Sequence, residues 1–533
     1  GANRLTSITD PLGHQTTFTY DRASNLTART DAEGRTTAFA FDALDRRVVH
    51  TVAQGTGDEA SQQFRYDPSG NLTGVLDFKG QLSTFEHDPL SRETRRTFDA
   101  PSVPTGDDLT EIATAYDPNG NALQVLERYT DLATGAPGPT GDLEILQAFD
   151  DFDRLITRTD AYGETLTHSY DASGNRTRLV DPDGLLTRYA YDALDRLVAV
   201  TTSGPGGGVT QYSYGRDSRL ERVVHPNAAE ENTTYDLAGR TQEIRNTLGP
   251  ALISSYAYTY DPNGNRLSQT EDQGAGPELT TYAYDPADRL IEVTYPDQRV
   301  AYQLDAVGNR VEESTFDLSG VLTGRLASTF DHRDRLLRID DLVDPSASGQ
   351  TTTFSWDLNG NQTGRTRGGV ARVQEFDARD RLREIREDST ALLLTFRYDH
   401  RGLRTRKSGP EGVVRYTYDQ DSVLLQSDDF GNTVAKYDYG PDRLLSLSHA
   451  TEGRGYYLFD ALGSVTAVLQ PSGTLQARYQ WNAWGEPRNI TGSSANPFGF
   501  TGHERDPESG LYYARARYYD PELGRFLTTD PFE

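Results

Sequence analysis

Between residues 149 and 196 the sequence repeats one short pattern three times: FDDFDR from Phe149, YDASGN from Tyr170 and YDALDR from Tyr191. Each copy pairs an aromatic residue with Asp, and three residues after that Asp it places Gly-Asn or Asp-Arg. Asp150, Asp171 and Asp192 therefore follow one another at a constant step of 21 residues. A fixed step of this kind indicates a repeat architecture.

The same pattern extends outward over about twenty units along the chain. Its last residue alternates between two types. Asn ends the turn at Asn25, Asn71, Asn121, Asn175, Asn265, Asn309 and Asn361. Arg ends it at Arg46, Arg92, Arg154, Arg196, Arg240, Arg289, Arg335 and Arg381. This alternation predicts a two-hairpin unit of about 42 residues. In that unit the Arg either reaches a carboxylate or ring of a neighbouring hairpin or lies solvated at the surface.

The chemistry of one unit is that of a β-hairpin. In the turn 117–120, Asp caps the turn, Pro presets φ, Asn suits the third position and Gly takes the left-handed conformation. A second turn follows, such as the one at 181–184, and the return strand 187–191 alternates in the manner of a strand. No segment shows the pattern of a helix of ordinary length. The sequence therefore predicts an all-β array of hairpins.

Gly- and Pro-rich insertions replace only the second turn of each hairpin and never interrupt the aromatic–Asp turn. They occur at 52–60, 100–108, 133–142, 203–208, 273–278, 344–350 and 407–412. This asymmetry predicts one uniform rim and one rim of variable loops. A glycan or a protein receptor would bind through the variable rim, unless the insertions are tolerated drift in loop length.

The composition suits thin sheets more than a large globular core. The hydrophobic fraction is 35%, yet the chain holds 30 Tyr and 20 Phe, which argues against disorder. A net charge of −27 makes nucleic acid and anionic lipid surfaces poor partners. No apolar run approaches the roughly 20 residues of a membrane-spanning helix.

We expect no metal site and no cofactor. The chain contains no Cys, its nine His do not pair at metal-ligand spacing, and it has neither a phosphate-binding Gly loop nor a nucleophile elbow. It also lacks Met and any signal peptide. We therefore expect a portion of a longer polypeptide that is secreted or displayed at the cell surface.

The repeat pattern changes near residue 437 and ends in GLYYARARYYDPELGRFLTTDP, residues 510–531. The aromatic–Asp units resemble YD repeats, and this final stretch is similar to the Rhs-associated core that closes such arrays. The resemblance divides the chain into a repeat array, 1–436, and a core domain, 437–533. It also implies that the array spirals into a hollow shell or tube, with the core as a terminal plug.

The resemblance further implies an aspartyl autoprotease that cuts once, just downstream of its final Asp-Pro. Asp506 and Asp530 match the two catalytic aspartates, whereas Asp520 is expected to be a structural turn residue. From the residues themselves, we interpret 512–519 as one strand with Arg515 and Arg517 side by side on a face, where they call for carboxylate partners.

Three functions stay open. The first is an exported bacterial shell that encloses its own C-terminal toxin segment and carries the self-cleaving core. The second is a structural or adhesive cell-surface protein that binds glycans, proteins or further copies of itself. The third, a conventional secreted hydrolase, lacks a recognisable catalytic constellation. The sequence just past residue 533 would separate the first two.

Overall fold

The computed structural model describes residues 3–99, 107–131, 137–343, 351–388 and 391–530. Its main feature is one sheet of 43 strands, in which each strand pairs antiparallel with the next one along the chain. No α-helix occurs in these residues, and a single 3-10 turn covers Phe500–Gly502. The all-β prediction is confirmed.

We divide the sheet into a first coil, β1–β26, and a second coil, β27–β43. The strands of the first coil are β1 Ser7–Thr9, β2 Gln15–Tyr20, β3 Leu26–Thr30, β4 Thr36–Phe41, β5 Arg47–Val52, β6 Ala60–Tyr66, β7 Leu72–Leu76, β8 Leu82–His87, β9 Glu93–Phe98, β10 Asp107–Tyr116, β11 Ala122–Asp131, β12 Pro137–Phe149, β13 Leu155–Thr159, β14 Thr165–Tyr170, β15 Arg176–Val180, β16 Leu186–Tyr191, β17 Leu197–Thr202, β18 Gly208–Tyr214, β19 Leu220–Val224, β20 Ala229–Tyr235, β21 Thr241–Leu248, β22 Ala251–Tyr260, β23 Arg266–Asp272, β24 Pro277–Tyr284, β25 Leu290–Thr294 and β26 Gln298–Leu304.

The strands of the second coil are β27 Arg310–Asp317, β28 Leu322–Phe330, β29 Leu336–Asp341, β30 Thr351–Trp356, β31 Gln362–Arg367, β32 Val370–Phe376, β33 Leu382–Glu387, β34 Ala391–Tyr398, β35 Arg404–Gly409, β36 Gly412–Asp419, β37 Ser422–Ser427, β38 Thr433–Tyr439, β39 Leu444–His449, β40 Gly453–Phe459, β41 Val465–Leu469, β42 Leu475–Trp481 and β43 Pro487–Gly492. The sheet thus continues past residue 437, and the domain boundary placed there stays a prediction.

The aromatic–Asp turn has the predicted hairpin chemistry. The Asp67 N–H donates to the Asn71 carbonyl at 3.0 Å, and Asp67 Oδ1 accepts the Asn71 N–H at 2.8 Å. Asp67 Oδ2 accepts Asn71 Nδ2 at 2.9 Å, and Gly70 has a φ of +94°. The left-handed residue lets the strands leave the turn with their normal twist, so the turn fixes the register of each hairpin.

Each Arg that ends a turn connects one hairpin to the next. Arg46 Nε donates to Asp42 Oδ2 of its own turn at 2.7 Å, and Arg46 Nη1 donates to the Asp67 carbonyl of the next turn at 2.9 Å. The guanidinium also lies 4.8 Å from the centre of the Tyr66 ring, whose hydroxyl donates to the Arg47 carbonyl. The interpretation that this Arg reaches a neighbouring ring is therefore confirmed.

The aromatic ring of an aromatic–Asp turn packs against the Arg that ends the preceding turn, as at Tyr66, Tyr116 and Tyr170. In the described residues no ring contact joins the aromatic residues of successive turns; Tyr66 and Tyr116, for example, are covered by Arg46 and Arg92. A guanidinium between two hairpins pairs with a ring and a backbone carbonyl at once, which a ring in the same place cannot do.

The sheet winds into a spiral, so that residues about 250 to 300 positions apart in sequence meet. We call the line along which the two coils touch the seam. Arg35 of the first coil pairs with Asp334 of the second. Lys79 Nζ lies 3.1 Å from Asp380 Oδ1, and Lys436 Nζ lies 2.6 Å from Asp181 Oδ2. Later strands of the second coil pack face to face on the first, where Tyr456, Leu458 and Leu469 join Ala229 and Ile253 in one core cluster.

Three of the variable loops contact the opposite coil along the seam. In the insertion 52–60, Asp58 accepts a hydrogen bond from the His332 N–H. In 203–208, the Gly206 carbonyl accepts the Tyr456 hydroxyl at 2.6 Å, and in 273–278, Gln273 Nε2 donates to the Tyr479 carbonyl. Each of these loops touches the opposite coil, but residues 204–206 and 274–278 are exposed, so recognition through this rim stays a prediction. The insertion 344–350 and parts of 100–108 and 133–142 lie outside the described residues.

Candidate functional site

The segment that follows the large sheet folds into a second, four-stranded sheet. Its strands are β44 Glu504–Arg505, β45 Tyr512–Ala514, β46 Arg517–Asp520 and β47 Arg525–Phe526. Residues 512–519 were expected to form one strand; instead they form a hairpin, with Tyr512 opposite Tyr519 and Ala514 opposite Arg517. Arg515 has a φ of +60° in the tight turn, so Arg515 and Arg517 do not lie side by side on a strand face.

This small sheet is anchored to strands from the whole second coil. Arg310 Nη2 donates to the Leu523 carbonyl at 2.7 Å, and Arg525 Nη2 donates to the Asp334 carbonyl at 2.7 Å. The Tyr512 hydroxyl donates to the Gly485 carbonyl at 2.9 Å. Leu511, Tyr513, Tyr518 and Leu527 complete a core cluster with Leu382, Ile385, Leu394, Phe396 and Tyr398. The segment is packed into the shell as a plug.

Asp506 lies at the centre of this packing and is fully buried. Its N–H donates to the Leu511 carbonyl, and its own carbonyl accepts the Gly510 N–H, both at 2.8 Å. The carboxylate takes its cations from β35: Arg404 Nη1 donates to Asp506 Oδ2 at 2.6 Å, and Lys407 Nζ lies 3.2 Å from Oδ1. The sequence did not single out Arg404 or Lys407.

Arg404 is shared between two acidic side chains in this buried site. Its Nη2 lies 2.9 Å from Glu504 Oε1, which also accepts the Tyr416 hydroxyl at 2.9 Å. The guanidinium is 4.5 Å from the centre of the Tyr513 ring. Burial opposes the charged form, but Asp506 and Glu504 outweigh it and raise the pKa of Arg404 well above its ordinary value. Arg404 is therefore a fixed cation beside Asp506.

Asp530 has a different environment. Its Oδ2 lies 2.9 Å from Arg517 Nη2, and its side chain is 35% exposed, against 0% for Asp506. Arg517 also stacks on the Phe526 ring at 3.8 Å. One of the two predicted supporting arginines thus contacts a predicted catalytic aspartate. In the described part of the chain, no hydrogen bond or ion pair joins Asp506 to Asp530, to Arg515 or to Arg517.

Asp520 occupies the turn position expected for it. It accepts the Glu522 N–H at 3.0 Å, and its Oδ2 lies 3.4 Å from Arg365 Nη1. Burial raises the pKa of this carboxyl above its ordinary value, although the charge of Arg365 opposes the shift. The residues that the structure describes contain no group of three or more His, Asp or Glu side chains placed to hold a metal ion. They also contain no helix that is long and apolar enough to cross a membrane.

The closed spiral of hairpins and its packed terminal segment define a class of β-shell. A family model described as Teneurin YD-shell matches residues 277–532, and one described as RHS Repeat matches residues 1–36, 22–56, 149–185 and 170–204. The chain belongs to the Rhs/YD-repeat proteins. Its fold is the hollow β-hairpin shell of that family.

Relatives with assigned activities cover most of this chain. It is 25% identical over 471 residues to Double-stranded DNA deaminase toxin A of Burkholderia cenocepacia, an alignment that covers 80% of this chain and 30% of the relative. It is also 25% identical over 485 residues to Toxin protein Tse5 of Pseudomonas aeruginosa, covering 77% of this chain and 36% of that protein. The chain therefore spans about a third of the length of these relatives.

A crystal structure of a TcdB2–TccC3–Cdc42 assembly has the same fold as this chain. The two superpose with a TM-score of 0.69 at 17% sequence identity, over 97% of this chain and 29% of the other.

Proposed function

We propose that this chain is the shell portion of an exported bacterial toxin and encloses a toxin segment that follows it in the full-length protein. The single observation that carries the proposal is the seam, because ion pairs such as Lys436–Asp181 close the 43-strand sheet onto itself. The plug, which packs on strands from β27 to β42, supports a closed end to such a container. The names of the toxin relatives fit this cargo.

We also propose that the core cleaves its own chain downstream of Asp530-Pro531, at residues that lie outside the described part. Asp506, paired with Arg404 and Lys407, is the ionised member that takes a proton from water. The resulting hydroxide adds to the scissile carbonyl carbon, while Asp530, which must first leave its ion pair with Arg517 and bind a proton, gives that proton to the carbonyl oxygen. When the intermediate collapses, the C–N bond breaks, the leaving amine takes the proton that Asp506 received from water, and Asp530 recovers its proton from the new carboxyl group. Tethering supplies the effective concentration for this single turnover.

The test is expression of a chain extended by its natural sequence past Glu533, compared with D506N and D530N variants. Cleavage is followed as two fragments by mass spectrometry. D67N is the matched control, because Asp67 is a turn aspartate on the exposed rim of the first coil. We expect wild type and D67N to cleave and the other two to stay intact. Cleavage that persists unchanged in both core variants would exclude the aspartyl mechanism, and an intact wild type would favour the second function below.

A structural or adhesive cell-surface role is the second candidate, favoured by apolar side chains on the aromatic–Asp turns of the first coil. Phe152 is 79% exposed and Leu194 is 69% exposed, and Leu44, Leu90 and Leu237 are also exposed at turns of the same rim. Exposed apolar groups grouped on one surface mark a protein contact. Binding of whole bacteria or purified glycans to the chain, abolished in a variant with Phe152 and Leu194 both changed to Ser, would support this role.

A further inference from the structure

An arginine-rich cavity of about 410 Å³ lies beside the segment that leads to Asp530. Five arginines line it, from the β32–β33 turn, the β34–β35 turn and the β45–β46 hairpin, against two aspartates, Asp380 and Asp421. The arginines are Arg379, Arg381, Arg401, Arg515 and Arg517. In a chain with a net charge of −27, such a concentration of cations creates a local field opposite to that of the rest of the protein.

Arg381 differs from the other turn-ending arginines in how it is paired. Arg335 Nε donates to Asp331 Oδ2 of its own turn at 2.6 Å, and the arginines at 46, 92, 154, 196, 240 and 289 make the same bond. Among the residues that the structure describes, the Arg381 guanidinium instead donates only to the Asp399 carbonyl, through Nη1 at 3.0 Å. Burial and the neighbouring charge of Arg379 lower the pKa of Arg381 to about 10. The charges of Asp377 and Asp399 offset only part of this lowering of the pKa.

Two further groups in the cavity wall have unused hydrogen-bonding capacity. Arg379, whose side chain is 8% exposed, keeps a buried Nε without a hydrogen-bond partner. Arg515 is exposed in its left-handed turn and makes no hydrogen bond or ion pair with any described residue. A buried N–H donor without an acceptor destabilises the folded state, so an acceptor in the cavity that meets Arg379 Nε would stabilise it.

We propose that this cavity binds a small oxyanion, a carboxylate or a phosphate group, between Arg381, Arg379 and Arg515. Planar guanidinium groups donate pairs of parallel hydrogen bonds to either anion. Thr528 and Thr529 also line the cavity. A bound anion therefore contacts the stretch 528–530, which includes Asp530. How well this stretch is ordered then depends on the anion concentration.

The test measures the thermal unfolding midpoint of the chain 1–533 during titration with inorganic phosphate and, separately, with succinate. Sodium chloride at matched ionic strength controls for screening. Binding to the folded state alone raises the midpoint in a saturable way. The variants are R515N, because Asn tolerates the left-handed turn, and R381Q. R216N is the matched control, because Arg216 is an exposed turn arginine far from the cavity in the first coil.

We expect at least one of the two anions to raise the unfolding midpoint of wild type and R216N in a saturable way. The anion that binds more tightly shows whether the natural ligand carries a phosphate or a carboxylate group. We expect R515N and R381Q to weaken the apparent affinity by about five-fold or more, consistent with the loss of one charge-assisted contact. Should R381Q fail to fold, R515N decides alone. Equal stabilisation by sodium chloride, or unchanged affinity in R515N, would overturn the proposal.

Discussion

The seam between the coils can be tested at the ion pair of Lys436 and Asp181. The two side chains are 3% and 1% exposed, and Lys436 Nζ lies 2.6 Å from Asp181 Oδ2. Replacing Lys436 by Met leaves the Asp181 carboxylate buried without its cation. The carboxylate is held in this position because Asp181 Oδ1 accepts the Leu185 N–H of its own turn at 2.7 Å. Removal of one partner from a buried pair costs about 3–5 kcal/mol. We expect K436M to lower the free energy of local opening by that amount.

The assay is native-state hydrogen exchange read by mass spectrometry on peptides that cover β15, β16 and β38. A loss of about 3 kcal/mol corresponds to exchange about 100-fold faster, since each 1.4 kcal/mol is a factor of ten. D181N/K436M should recover much of the loss, because Asn keeps the turn acceptor without the charge. R222M is the matched control: Arg222 and Glu230 also pair at 2.7 Å, but they are 45% and 34% exposed, so its cost should stay below about 1 kcal/mol. Equal effects of K436M and R222M would refute the buried seam.

Two further predictions concern pH and the repeat unit. Burial raises the pKa of Glu271 to about 7 in the folded protein, above its ordinary 4.5. Folding therefore favours the protonated carboxyl group. The contribution of Glu271 to stability is present below about pH 4.5 and is lost as the pH rises through 7. E271Q should therefore gain thermal stability over wild type at pH 8 and gain nothing at pH 4, and an identical gain at both values would contradict this. Tyr191→Ala removes the hydroxyl that donates to the Arg176 carbonyl at 3.0 Å. Hydrogen exchange should accelerate only in β14–β18, because the stability of a repeat array is a sum of terms between neighbouring repeats. Acceleration over the whole array would contradict this prediction.

The hairpins were predictable because their information is local. The Asp that caps each turn, the left-handed residue three positions later and the Arg or Asn after it lie within five residues of one another, and the structure uses them as expected at Asp67 and Gly70. The winding of the array was not predictable in the same way. Its contacts, such as Lys79 with Asp380, join residues about 300 positions apart, and no spacing in the sequence encodes them.

The candidate site shows a similar limit. Arg404 follows a turn in the same position as Arg47, Arg176 and Arg266, which lie over rings of neighbouring strands, so nothing local marks it as the partner of Asp506. The alternation of residues 512–519 fits a strand, but it does not exclude a tight turn at Arg515. An alternation with a period of two is compatible with a continuous strand and with a hairpin. Only the packing of β45 and β46 on different neighbouring strands decides between the two.

The buried charges of this chain explain how similar hairpins select one stacking. Lys436 and Arg158 are nearly inaccessible, and each meets an acid of the other coil: Lys436 Nζ lies 2.6 Å from Asp181 Oδ2, and Arg158 Nη2 lies 3.8 Å from Asp399 Oδ2. Such pairs add little net stability over apolar contacts, but a shift of one coil by a single hairpin would leave each charge buried without its partner, at about 3–5 kcal/mol apiece. We infer that these pairs set the register of the spiral. A D181L/K436M variant should then fold with near-normal stability but show two exchange populations in β38, whereas a single population would assign the register to other contacts.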